Sequence, residues 1–223
     1  MRKMIYILAF IAVALFIVIA FDLSNVYSQK ETKDTNVNNV LVKTIQLKYG
    51  HIDVSHDHVN ISKPKLDSDG FSRIEVYDKN SGKFIEAYGV KEEPLDVSSY
   101  TNKVSKVTIY KERKDYSAVT RLYVVLTVYS DSLRQIKSID KTYWQKVDDG
   151  DWQLKNPHAV AISTTGIFPS KEIEASGTAT IEMKANIFTV GILNKSGFNV
   201  FQSGENGYYL RKTVELGFRY SLV

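Results

Sequence analysis

Ala118-Val119-Thr120-Arg121-Leu122-Tyr123-Val124-Val125-Leu126-Thr127-Val128-Tyr129 is the stretch that decides the fold. Side chains of a strand alternate between two faces, so Leu122, Val124, Leu126 and Val128 share one face and Val119, Tyr123, Val125 and Tyr129 the other. Both faces are apolar, with Arg121 and Thr127 interrupting the second. A strand of that kind sits in the middle of a sheet with a layer on each side.

Working outward, the same period of two recurs. Ile45, Leu47 and Tyr49 alternate with polar neighbours. Arg73–Tyr77 and Lys83–Tyr88 flank Asp78-Lys79-Asn80-Ser81-Gly82, where glycine supplies the left-handed backbone of a hairpin loop. Val107 and Ile109 open a further strand. Tyr143–Val147 and Trp152–Leu154 bracket Asp148-Asp149-Gly150-Asp151 and predict a second hairpin. Ala179 to Ile187 alternates with Thr178 to Asn186. In the last strand Leu210, Val214, Leu216, Phe218, Tyr220 and Leu222 share a face with Lys212. Helical periodicity is scarce after residue 21; Asp131–Ile139 reads either as a short helix or as the start of a strand. The expectation is an all-β domain, an antiparallel β-sandwich or partly open barrel of about ten short strands, preceded by an N-terminal hydrophobic helix.

That leading segment sets the expected address. Met1-Arg2-Lys3 is basic, and Met4 to Phe21 runs without a charge until Asp22. Eighteen helical residues span about 27 Å, close to a bilayer core. Residues 1–21 therefore read as a signal peptide, cut after Ala20 or Ser28, or as an uncleaved anchor that holds the chain to a membrane through residues 4–21. The basic start places the bulk of the chain outside the cytoplasm in either case. Residues 22–38, with the wholly polar Ser28–Asn36, read as a flexible linker. Residues 39–223 form the extracytoplasmic domain, with the best internal break near 91–99 at Lys91-Glu92-Glu93-Pro94.

Composition excludes several classes. The 223 residues contain no cysteine, which removes disulfides, thiol catalysis and cysteine-bound metals or clusters. The net charge of +4 becomes +2 once Arg2 and Lys3 go with the leader. Acidic and basic residues alternate, as in Lys111-Glu112-Arg113-Lys114-Asp115, so no nucleic-acid footprint is indicated. Richness in Lys, Asn and Ile without Cys suggests an exported protein of an AT-rich bacterium.

Few residues point to chemistry. His51, Asp53, His56 and His58 cluster in eight residues. If residues 56–58 are extended, His56 and His58 face one way, and a third donor from His51 or Asp53 would make a divalent-metal site; otherwise the cluster is a solvated strand end. No other cofactor is expected. Asp67-Ser68-Asp69-Gly70 and Asp148–Asp151 lack the twelve-residue calcium-loop pattern and read as tight turns. No nucleophile elbow or catalytic triad is present. Tyr143, Trp144, Trp152, Tyr208 and Tyr209 are candidates for stacking on a glycan or a protein ligand, the competing reading being core packing. The first functional expectation is an exported or surface-tethered non-enzymatic binding or structural module. The alternatives are an exported hydrolase acting on cell-wall or glycan substrate, and a pore-forming or membrane-acting β protein, the latter from the alternation of Ser176–Ile187.

Overall fold

The computed structural model describes residues 35–37, 40–54, 56–95, 103–130, 134–185, 187–203 and 207–223. The expected leader and all of the expected linker before Thr35 lie outside them. Among the described residues no helix is long and apolar enough to cross a membrane.

In chain order the strands are β1 (Thr35–Val37), β2 (Val40–Leu47), β3 (Gly50–Val54), β4 (Val59–Ile61), β5 (Lys65–Leu66), β6 (Ser72–Asp78), β7 (Phe84–Leu95), β8 (Val104–Asp115), β9 (Ala118–Tyr129), β10 (Gln135–Lys146), β11 (Trp152–Ser163), β12 (Glu172–Ala185), β13 (Asn199–Ser203) and β14 (Gly207–Leu222); α1 (Ile187–Lys195) lies between β12 and β13. They make two seven-stranded antiparallel sheets. The first runs β1-β2-β3-β14-β12-β11, with β13 also paired to β14; the second runs β10-β9-β8-β7-β6-β4, with β5 also paired to β6.

The decisive stretch is β9 itself, inside its sheet as expected, but with the other sheet packed on one face only, since its second face lies on the outside of the sandwich. It pairs along its length with β8 on one side and β10 on the other. Leu122, Val124, Leu126 and Val128 are completely buried and meet Ile173, Ala175, Ala179 and Ile181 of β12 and Val214, Phe218 and Tyr220 of β14 in one continuous core. Each such aliphatic side chain contributes about 1.5–3 kcal/mol by leaving water. The inward face expected for β14 is the observed one: Leu210, Val214, Leu216, Phe218, Tyr220 and Leu222 are buried.

Three details refine or correct the expectation. The strands are longer: seven have twelve residues or more. β7, for example, passes through Lys91-Glu92-Glu93-Pro94 and pairs with β8 as far as Leu95. Of the two readings of Asp131–Ile139, residues 135–139 take the strand, because their pairing to β9 buries Ile136; residues 131–133 lie outside the described residues. Finally, Asp148–Asp151 makes a turn but not a hairpin: β10 pairs with β9, and β11 with β12. Both tryptophans flanking that turn point into the core, so the chain crosses there from one sheet to the other. The crossing is tied down twice. Trp144 Nε1 donates to the His158 carbonyl at 2.9 Å, and Ile136 and Ser170 exchange backbone bonds of 2.7 and 3.0 Å.

α1 was not legible in the alternation, which continues through Ile187. Its Ile187-Phe188-Thr189-Val190-Gly191-Ile192-Leu193 is apolar almost all the way round and lacks a one-sided stripe.

Candidate functional site

The residues singled out in the sequence fall in separate places. On β3, Ile52 and Val54 point into the core, so His51 and Asp53 share the outward face; Asp53 Oδ1 accepts from Thr44 Oγ1 at 3.0 Å. Residues 57–58 form a bend, with His58 at φ +55°, so the extended run that would align His56 with His58 is not the observed conformation. His56 Nε2 instead lies 3.3 Å from Glu86. Among the described residues no three His, Asp or Glu side chains come together as a metal-binding group.

The aromatic candidates divide in the same way. Trp144 and Trp152 are 8% and 4% exposed and belong to the core. Trp152 Nε1 donates to Asp148 Oδ1 at 2.6 Å, and Asp148 also accepts from the Val119 and Gly150 N–H groups, which makes this turn a knot of backbone bonds. Those donors hold the Asp148 carboxyl below its usual range, against the upward pull of burial. Tyr208 and Tyr209 are half-buried at the start of β14, opposite Gln202 and Phe201 of β13. Tyr143 is half-buried on the outer face of the second sheet, and there it joins something larger.

On that face the second sheet carries a cluster of its own. Tyr110 of β8 and Tyr123 of β9 are directly opposed, with rings 5.4 Å apart; Tyr143 of β10 stacks on Tyr123 at 5.0 Å and 7°; Phe71, just before β6, meets Tyr110 edge-on at 5.0 Å. Gly89 of β7 leaves room for the Tyr110 ring, because a β-carbon there would overlap it. Phe71 is delivered by the turn Asp67–Gly70. Asp67 Oδ1 accepts from the N–H groups of Asp69 and Phe71 at 3.0 and 2.8 Å, Gly70 takes φ +82°, and Tyr110 Oη donates to Asp67 Oδ2 at 3.3 Å. The Asp-Ser-Asp-Gly segment is thus the expected tight turn, and it holds an aromatic over the sheet.

Charge runs through the cluster. Glu112 accepts from Arg121 Nε at 2.7 Å and from Arg73 Nη2 at 2.5 Å. Arg73 also pairs with Glu75, which accepts from Tyr77 Oη at 2.6 Å. Arg121 lies over the Tyr110 ring, 4.2 Å from its centroid, donates to Tyr123 Oη at 3.1 Å, and reaches Asp69 at 3.7 Å. Burial alone would lower both guanidiniums, but Glu112 and the phenol oxygens hold Arg73 and Arg121 above their ordinary value. Burial pushes the Tyr110, Tyr123 and Tyr143 hydroxyls up. At neutral pH these five groups are therefore two cations and three protonated phenols, which can donate hydrogen bonds and offer π faces.

Comparison of the chain with protein-family models, with curated proteins and with solved structures finds no match in any of the three.

Arg73, Glu112, Arg121, Phe71, Tyr110 and Tyr123 were not singled out in the sequence. One signal was there: Arg121 breaks an otherwise apolar face of β9, and Glu112 stands in the alternating run of β8. Their pairing required the β8–β9 register, which sets Glu112 opposite Arg121.

Proposed function

We propose that the chain is an exported or surface-tethered, non-enzymatic β-sandwich module that binds a glycan or protein ligand on the outer face of its second sheet. The observation that carries this reading is the rigid aromatic and guanidinium cluster around Glu112, with the half-buried Tyr143 ring as its accessible member. Aromatic and arginine side chains already locked by neighbours lose little conformational entropy on binding, which is why such groups dominate binding hot spots. Lys141, with Nζ 4.5 Å from the Tyr143 ring centroid, and the exposed Asp69 border it with polar groups.

Incubation of the full-length protein with labelled peptidoglycan, a polysaccharide panel and cell-surface protein extracts tests the reading. Saturable binding without turnover, weakened at least tenfold by Tyr143→Ala, is expected. Turnover of a glycan would replace the module with an exported hydrolase. Binding unaffected by Tyr143→Ala would move the ligand off this face.

A further inference from the structure

β11 is the last strand of the first sheet and pairs with β12 alone. In an antiparallel pair, successive residues turn their backbone groups to alternate sides. The Thr164 N–H donates to the Glu172 carbonyl at 3.3 Å, which turns Thr164, Ile162 and Val160 towards β12. The N–H and C=O groups of Ala159 and Ala161, and the N–H of Ser163, therefore point away from the sheet. Among the described residues no strand pairs with them on that side.

A long sheet edge invites pairing, and proteins blunt it with bulges, charge and proline. The second sheet ends on β10, which has two register shifts and exposed Lys137, Asp140 and Lys141. The first half of β11 is blunted in the same way. Lys155 is exposed, Pro157 has no N–H to offer, and the register shifts between Lys155 and His158. The second half has none of these devices. Residues 159–163 keep regular register with β12, and residues 159–170 carry no charge. Ala159 and Ala161 pack against the core, while Val160 and Ile162 are 55% and 56% exposed on the outer face.

Outward backbone groups in a row call for an extended chain, and the order of the residues selects a second copy. A two-fold axis at Ala161 sets Ala161 against the partner's Ala161, Ala159 against the partner's Ser163, and Val160 against the partner's Ile162. The valine–isoleucine pair is of the closely spaced kind, with Cα atoms about 4.5 Å apart, and it occurs twice. Each exposed side chain is thus covered by the other. An isologous contact brings every charge near its own copy, and this segment has no charge to repel itself. Lys155 and Pro157 fall outside the paired residues.

We infer that the chain forms a dimer through antiparallel pairing of Ala159–Ser163 with the same segment of a second copy, which joins the two first sheets into one. This edge is separate from the outer face of the second sheet and leaves that face free.

The absence of cysteine gives a test that reads the register in the full-length chain. Val160→Cys and Ile162→Cys are prepared as separate proteins and incubated in a glutathione redox buffer, each alone and both mixed in equal amounts. The expected product is a disulfide-linked pair containing one chain of each kind, formed in the mixture. Neither protein should link to itself, because like positions are out of register and lie beyond the Cα separation of about 7 Å that a disulfide can span. Residues 4–21 are common to both proteins, so any association of their own acts alike in all three incubations. Ala161→Pro, added to both, removes the N–H at the axis but no bond to β12; it should abolish the mixed product while the thermal midpoint is retained. Absence of the mixed product overturns the inference. So does equal linkage in all three incubations, or a mixed product that survives Ala161→Pro.

Discussion

Arg121 Nε donates to Glu112 Oε2 at 2.7 Å across the β8–β9 pair, with both side chains less than a tenth exposed. Glu112 is at the same time a partner of Arg73, so one carboxylate bridges two guanidiniums on the outer face of a sheet, and Glu75 on Arg73 supplies the second negative charge. Removing one member of a buried ion pair leaves an uncompensated charge and typically costs about 3–5 kcal/mol, whereas exchanging the whole group for apolar residues can be near neutral. Glu112→Gln is therefore expected to lower unfolding free energy in urea by about 3 kcal/mol. The triple change Glu112→Leu, Arg121→Met, Arg73→Met should recover most of that loss. A single change with no effect on the urea midpoint would mean that the pair is solvated.

Gly89 is expected to be just as sensitive, for a steric reason. A methyl group there overlaps the Tyr110 ring, which is held between Phe71 and Tyr123 under Arg121. Overpacking of this kind costs about 1–3 kcal/mol. Gly89→Ala should lower the thermal midpoint and weaken any ligand bound beside Tyr143. In combination with Tyr110→Ala, which vacates the space, the added methyl should cost much less, and a double-mutant cycle measures the difference.

Glu86 sets a pH dependence. Its side chain is nearly buried between the sheets, with Lys111 at 2.9 Å, Tyr88 Oη at 2.5 Å and His56 at 3.3 Å. Burial alone would raise the carboxyl, but Lys111, Tyr88 and His56 together bring it below the ordinary value of 4.5. A depressed folded-state pKa contributes stability that is complete above 4.5 and is lost as pH falls through the lower folded value. Unfolding free energy of the wild type should thus fall more steeply with acid below pH 4.5 than that of Glu86→Gln. Parallel curves for the two proteins would remove Glu86 from the acid response.

The two faces of the sandwich can be told apart by adding the same charge to each. Leu126 is completely buried in β9, and Leu126→Asp should cost several kcal/mol, enough to unfold a domain of ordinary stability. Thr178 is exposed on β12, and Thr178→Asp should cost under about 1 kcal/mol. Melting temperatures of the two variants report the contrast directly.

Much of the architecture could be read from order along the chain. A strand has a period of two whatever it packs against, so Ala118–Tyr129 declared its inner face, and Leu210–Leu222 did the same. Local turn chemistry was equally legible, because an aspartate or a positive-φ glycine acts on the backbone beside it, as at Asp67–Gly70 and Gly82. α1 escaped because an all-round apolar helix has no period to detect. The turn at Asp148–Asp151 was legible, but the change of sheet across it depends on where β9 and β12 lie.

The sequence by itself determined an antiparallel β domain, its buried faces and its tight turns, since these follow from alternation and from groups a few residues apart. Only the tertiary structure decided which strands share a sheet, that His56 meets Glu86, and that Arg73, Glu112 and Arg121 form one cluster. Arg73 and Glu112 are thirty-nine positions apart, and Glu86 and Lys111 are joined only through the pairing of β7 with β8. The physical reason is that a charge selects its partner by distance in space, and that distance is set by sheet register rather than by separation along the chain.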